Sequence, residues 1–266
     1  MIDCKGRVIN YLRISVTDRC NLRCNYCMPE EGVKLVDHSK ILTFTQIVDF
    51  TREAVFMGID KIRLTGGEPL VRKGITELVS MISSIQGIND LSMTSNGILL
   101  SGFARELKDA GLMRVNISLD AIDQERYRLI TRGGDVKLVF KGIEAALKYG
   151  LKPVKINCVV NRDRDEPDAL DVARYASETG CDVRFIPRMD LERGTFGVVS
   201  GGSGGDCTKC NRLRLTSTGM LKPCLFSDIE IDTLKLGAKK SIEMAISRKP
   251  EKGLHNNTGG FYNIGG

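Results

Sequence analysis

Nine cysteines occur in a chain of 266 residues, and six of them fall into two tight groups. Cys20, Cys24 and Cys27 have the spacing C-x3-C-x2-C, and Cys207, Cys210 and Cys224 the spacing C-x2-C-x13-C. Thiols grouped this closely point to metal binding, while the scattered Cys4, Cys158 and Cys181 read as buried structural thiols. Three thiolates on one short loop can hold three irons of a [4Fe-4S] cubane and leave the fourth iron open to a ligand, where an electron carrier uses four. The other occupant is zinc, which wants a fourth thiolate or imidazole. His38 is the only histidine near the first group, in a polar loop suited to solvent, and none is adjacent to the second. The cubane therefore fits both groups better.

Two further constellations could serve such centres. Gly66-Gly67-Glu68-Pro69 follows an expected strand, where two glycines let the backbone approach a ligand and bond its amino and carboxylate groups. A plain turn between strand and helix uses the same residue types, so this signal gains its meaning beside the first triad. Arg212 and Arg214 alternate just after Cys210 and share one face if the segment is extended, in a cavity or on a solvated strand. Arg13, Lys61, Arg63, Lys155 and Arg184 each lie in an expected strand, where an inward charge is costly unless paired or bound to a ligand. Any one of them could face outward. Together they suggest a clamp for a polyphosphate, because guanidinium forks and ammonium point charges both suit one. A net charge of +6, dispersed along the chain, fits a small polyanion better than a nucleic acid.

These residues need a frame. Hydrophobic residues at 42% and charged residues at 27%, with no long apolar run, describe a globular chain rather than a membrane or disordered one. The N-terminal stretch lacks a signal-peptide core, so a cytoplasmic protein with reduced thiols is expected. Residues 11–16 read as a first strand that runs into the cysteine loop. Thr43 and Gln46 have capping-box spacing, and Phe44, Ile47, Val48, Thr51, Ala54 and Val55 follow helical spacing as far as Gly58. Strands near residues 61–65, 91–95, 115–119, 154–160 and 183–186 alternate with further helical patterns, and Gly111, Gly150 and Gly180 follow helices.

Six βα units imply a parallel sheet, either a partial (βα)6 TIM-type barrel or an open doubly wound sheet. Polar or Gly-rich segments close almost every strand, which favours the barrel and predicts that these ends converge on one ligand. The expected domains are a barrel over 1–189, a short Gly/Ser linker over 190–205 and a C-terminal region over 206–266 with the second triad. SGGSGG at 200–205 has the composition of a flexible linker, either an engineered replacement for a deleted loop or a naturally short connection.

At this point the motifs resemble a known family. SVTDRCNLRCNYCMPEEG, KIRLTGGEPLVRK, MTSNG, RVNISLDA, CTKCNRLRLTSTGMLKPCLF and the terminal IGG together are similar to the GTP 3′,8-cyclases of molybdenum cofactor biosynthesis, over most of the chain. The first cysteine loop with GGEP is shared by all radical S-adenosylmethionine (SAM) enzymes, whereas the second triad followed by NRLRL is more specific. The resemblance implies a [4Fe-4S] cluster at each end of a barrel cavity and reductive cleavage of SAM to a 5′-deoxyadenosyl radical. That radical takes H3′ from GTP, and C3′ closes on C8 to give 3′,8-cyclo-7,8-dihydro-GTP.

Carried over by position, the resemblance implies that Cys20, Cys24 and Cys27 hold the SAM cluster and Cys207, Cys210 and Cys224 the GTP cluster. Tyr26, Gly67, Ser118 and Met189 match SAM contacts, beside Gly66 and Glu68 of the glycine turn. Arg13, Lys61, Arg63, Thr94, Lys155, Arg184, Arg212, Leu213 and Arg214 match the GTP site, and Gly265 and Gly266 a tail inserted toward it. No protein acid or base is implied, Arg13 being the one candidate. An electron donor, a homodimer and a downstream enzyme that forms cyclic pyranopterin phosphate are the implied partners. Relative to the family, the stretch between the sixth strand and the second triad is short, and Ile186-Pro187-Arg188 stands where an acidic residue is usual.

Two other readings compete. A peptide-modifying radical SAM enzyme with an auxiliary cluster uses more cysteines and needs no polyphosphate clamp. A non-catalytic metal-binding protein leaves GGEP and the strand cations without a purpose.

Overall fold

Short runs of aliphatic and β-branched residues alternate with amphipathic stretches from Tyr11 onward. In the computed structural model, which describes residues 1–264, they form six βα repeats in chain order. β1 (Tyr11–Ser15), β2 (Lys61–Thr65), β3 (Asp90–Ser95), β4 (Arg114–Ser118), β5 (Lys155–Val160) and β6 (Asp182–Pro187) are successive parallel neighbours. The crossovers are α1 (Phe44–Phe56), α2 (Ile75–Ser83), α3 (Leu100–Asp109), α4 (Gln124–Thr131) with α5 (Val136–Lys148), and α6 (Pro167–Thr179). This is the expected partial barrel, and its sheet is not closed.

Local chemistry explains the elements. The Thr43 hydroxyl accepts from the Gln46 N–H while the Gln46 side chain accepts from the Thr43 N–H, so both halves of the capping box exist. Such a cap contributes about 1 kcal/mol. The buried stripe of α1 is Ile47, Val48, Phe50, Thr51 and Ala54. Phe44 and Val55 sit at its partly covered margin. Along the strands Leu12, Ile14, Ile62, Leu64, Leu91, Met93, Val115 and Ile117 point to one face and build the core with the helices. Their alternate neighbours, including Arg13 and Arg63, must then point to the concave face.

The C-terminal region extends this sheet instead of standing apart. β7 (Arg212–Leu215) pairs in parallel with β1, β8 (Met220–Lys222) pairs antiparallel with β7, and β9 (Ile231–Asp232) follows. The nine-stranded order is β6-β5-β4-β3-β2-β1-β7-β8-β9. Strands of two to four residues carry too little periodicity to be read from sequence. α7 (Thr233–Leu236) leads into α8 (Ala238–Ser247), which packs on α1, and α9 (Phe261–Ile264) ends the described chain.

The Gly/Ser run folds back on β6, where Phe185 and Ser200 exchange backbone hydrogen bonds. Beside it, Leu191, Leu225, Phe226 and Ile264 form a second small core, and the Phe196 and Phe226 rings stack at 4.5 Å. Among the described residues no helix is long and apolar enough to cross a membrane.

Candidate active site

The concave face carries two adjoining cavities. The first, about 180 Å³, lies at the C-terminal ends of the strands and is lined by Cys20, Cys24, Cys27, Tyr26, Gly66, Gly67, Thr94, Ser118 and Met189. The second, about 340 Å³, lies over the N-terminal halves of the strands and is lined by Cys207, Cys210, Cys224, Arg13, Lys61, Arg63, Arg184, Arg212 and Arg214. Asn157, Ile186 and Met189 line both. The polar segments at the C-terminal ends of the strands therefore converge on one cavity, as the sequence suggested. The cations sit at the opposite end of the strands from the first triad.

The glycine turn exists for the cysteine loop itself. A Cβ on Gly66, at φ +149°, would lie 2.5 Å from the Thr17 carbonyl oxygen, and one on Gly67 would lie 2.3 Å from that of Arg19. The Gly67 N–H donates to the Thr17 carbonyl at 2.8 Å and the Glu68 N–H to the Arg19 carbonyl at 2.8 Å, which fixes the approach to Cys20. The Gly67 donor is thus taken by protein. Glu68 stands behind the wall. One of its oxygens accepts from the Leu70 N–H and the Ser95 hydroxyl, the other from the Asn96 N–H at 2.7 Å. Burial pushes this carboxyl up to about 7. Glu68 ties the ends of β2 and β3 together, and the Asn96 amide in turn reaches the Cys20 sulfur at 3.9 Å.

Tyr26 is held in the same manner. Its hydroxyl donates to Asp120 Oδ2 at 2.7 Å, and Asp120 Oδ1 accepts from the Val159 N–H at 2.8 Å. Burial raises the Asp120 carboxyl to about 6 and the Tyr26 phenol well above its ordinary value. Burial also raises the thiols of Cys20, Cys24 and Cys27, the last to about 12. Thiolates there are costly until a metal centre supplies positive charge, which suits a cluster that deprotonates its ligands. The Thr94 hydroxyl, buried on this wall, has no partner among the described residues and is available to a bound molecule.

The second cavity is cationic by register. Arg214, Arg13 and Arg63 stand side by side on β7, β1 and β2, and Ser92 and Arg114 continue the row on β3 and β4. Burial first, and like charge nearby, push Arg13 and Arg63 down to about 9 and Arg214 to about 10. A polyanion relieves that repulsion. The Tyr11 ring lies beneath two of the guanidinium groups, Arg63 at 5.4 Å and Arg212 at 5.7 Å from its centroid. Burial acts upward on Cys210, but Lys249, Arg212 and Arg214 outweigh it and hold its thiol below the ordinary value. Cys224 is raised by burial.

Some expected residues lie elsewhere. Thr94 belongs to the first cavity and not the second. Lys155 pairs with Asp182 at 3.0 Å outside the cavity wall. Leu213 is in the core on the helical face, as strand alternation between Arg212 and Arg214 requires. His38 is exposed. Gly265 and Gly266 lie outside the described residues, though α9 brings Phe261 to the first cavity. Among the described residues no three or more His, Cys, Asp or Glu gather as a single-ion site would require. A cubane differs, since each thiolate stands on its own iron.

Sequence reading missed Asp120, Asn96 and Asn157, whose roles depend on non-local neighbours. It also missed Arg114, which lines the second cavity in a bidentate pair with Asp90. Its position in a strand, like that of Arg63, was the available signal.

Comparison with known proteins matches this arrangement. The radical SAM superfamily model covers residues 14–176 and the Molybdenum Cofactor Synthesis C model residues 173–257. The GTP 3′,8-cyclase of Alkaliphilus oremlandii (strain OhILAs) is 41% identical, with 95% of this chain and 94% of that protein aligned. The enzyme of the same name from Moorella thermoacetica is 42% identical, with 94% of each chain aligned. That of Geobacter sulfurreducens is 43% identical over 87% of this chain and 85% of its own. The first alignment spans 300 positions, more than the 266 residues here, so that relative carries residues with no counterpart in this chain.

Solved structures share the fold. Streptococcus suis SuiB bound to SAM has TM-score 0.67 and 13% identity over 91% of this chain and 64% of its own. Native anSMEcpe with bound AdoMet has 0.63 and 18% over 88% and 82%. With the superfamily come a [4Fe-4S] cluster and SAM. By its matched regions and its identity to curated relatives, the chain belongs to the GTP 3′,8-cyclase family of the radical SAM superfamily.

Proposed function

We propose that this protein uses SAM to convert GTP to 3′,8-cyclo-7,8-dihydro-GTP, with a different [4Fe-4S] cluster in each cavity. Cys20, Cys24 and Cys27 hold the first, and Cys207, Cys210 and Cys224 the second, against which the purine rests. When bound, the first cluster and SAM supply the radical that removes H3′ of GTP so that C3′ can close on C8.

The chain's own residues bind, orient and exclude water. Tyr26, braced by Asp120, and Ser118 face the SAM cavity. Arg13, Arg63, Arg212 and Arg214 bind the nucleotide, with Lys61 and Arg184 at the same wall for its phosphates. Asn157 lines both cavities and presents a buried carbonyl oxygen without a partner among the described residues. It is placed to accept from a hydroxyl where the two ligands meet. Ile186 and Met189 flank that point and keep it apolar. Holding two reactants at such a junction contributes by orientation, the protein's share in cofactor chemistry. An outside donor supplies the electrons, and a second enzyme carries the product toward cyclic pyranopterin phosphate.

The observation that carries this reading is that a cysteine triad beside GGEP and a cysteine triad beside an arginine row open onto one junction. Anaerobically reconstituted protein, given dithionite, SAM and GTP, should release 5′-deoxyadenosine and an isomer of GTP with altered chromatographic retention. Deoxyadenosine with GTP unchanged overturns the assignment of substrate.

A further inference from the structure

Behind the second triad lie two buried cations outside both cavities. Lys249, 3% exposed, donates from Nζ to the Arg212 carbonyl at 2.7 Å and to the Pro223 carbonyl at 2.5 Å. Arg212 lies two residues after Cys210, and Pro223 directly precedes Cys224. The positive charge of Lys249 also acts on the sulfurs of Cys210 and Cys224. Arg7, 7% exposed, donates from Nη1 to the carbonyl of Cys207 itself at 2.9 Å and from Nη2 to that of Pro250 at 2.8 Å. Asp3 orients it, accepting from Arg7 Nε at 2.6 Å.

Each cysteine-bearing segment is therefore tied to one of two cations, and the cations are tied to each other through residues 249–250. Distant parts of the chain meet here: the turn at residues 3–7, the β7 entry, the β8 exit and the segment after α8. Burying two cations costs several kcal/mol each unless carbonyls or anions repay it. Three carbonyls and the buried Asp3 carboxylate repay it for Arg7, and two carbonyls with the sulfurs of Cys210 and Cys224 nearby repay it for Lys249. Positive charge this close favours the more negative, reduced form of an iron–sulfur centre, because net local charge and hydrogen bonds to sulfur set its potential.

We infer that Lys249 and Arg7 are positioning residues for the second triad, holding its three segments together, and that the charge of Lys249, which has no carboxylate partner among the described residues, raises the reduction potential of the cluster that the triad carries. The inference rests on the two-cluster reading above and adds to it a support that includes the N-terminal turn. The contrast is Lys5, on the same turn, whose exposed ammonium pairs with the exposed Glu251 at 2.8 Å.

The test uses full-length, anaerobically reconstituted protein, with iron content and EPR-monitored redox titration as readouts. The parent should hold about eight irons, as two cubanes require. Lys249→Met should lose about half of the iron, or retain it with the second cluster reducing at a more negative potential, and Arg7→Gln should lose about half of the iron through release of the Cys207 segment. In both, the SAM-perturbed EPR signal of the first cluster should persist, and Lys5→Met should match the parent. Full iron with an unshifted potential in both variants overturns the inference, as does loss of both clusters together, which reports a general folding defect. A parent with only four irons instead overturns the two-cluster reading itself.

Discussion

Arg13 and Arg214 face each other in register across the parallel pair of β1 and β7, although 201 positions separate them in the chain. Two guanidinium groups side by side and nearly buried would repel if nothing negative joined them. The C-terminal strand therefore completes, next to the first strand, a site that neither segment forms alone. On the reading proposed above, the arginine row is the nucleotide clamp.

Arg212→Ala should weaken GTP binding about 10- to 100-fold, as loss of a charge-assisted contact of about 1.5–3 kcal/mol implies. SAM cleavage should survive, since Arg212 lines only the second cavity. Equilibrium binding of GTP and deoxyadenosine release without GTP measure the two effects separately. Unchanged GTP affinity removes Arg212 from the clamp.

Gly67→Ala drives a methyl group toward the Arg19 carbonyl oxygen, 2.3 Å from where its carbon would sit. The loop that delivers Cys20 must shift. Iron content should fall by about half, since one of two cubanes is affected. The absorbance of the second cluster should remain.

Tyr26→Phe removes the donor to Asp120 Oδ2 and leaves a buried carboxylate oxygen short of a partner. Leaving such a group unsatisfied costs about 1–3 kcal/mol. A lowered melting temperature together with weaker SAM binding is expected. A variant with the parent's stability would show that the Tyr26–Asp120 contact carries no weight.

Glu68 gives a pH signature. Burial raises its carboxyl to about 7 from an ordinary 4.5, so between those values the folded chain binds more protons at this site than the unfolded chain. Stability from this group is then full below the lower value and falls as pH rises through the higher one. Glu68→Gln lacks the titration. The stability gap between parent and Glu68→Gln, read from urea midpoints, should narrow from pH 5.5 to 7.5 and level off above, and a constant gap refutes the assignment.

Much of this protein is written locally. Capping at Thr43, the apolar stripe of α1 and the six strand runs are properties of short windows, which is why βα repeats and a barrel were readable. Cysteine spacing and GGEP likewise mark the first centre, and Arg212 with Arg214 announces an extended segment. What no window contains is pairing and register. The union of β7 with β1 sets Arg214 beside Arg13, and strand alternation puts Leu213 in the core between two cavity arginines. Glu68 reads as a ligand contact in sequence, yet its oxygens are taken by β3-end donors that only folding brings near. Lys155 reads as one clamp member among five until Asp182, on the next strand, proves to hold it. The sequence by itself determined which chemistry the chain carries, because residue type and short spacing decide what can bind a cluster or a phosphate. Tertiary structure alone decided where each group points and what it neutralises, because those depend on partners tens to hundreds of residues away.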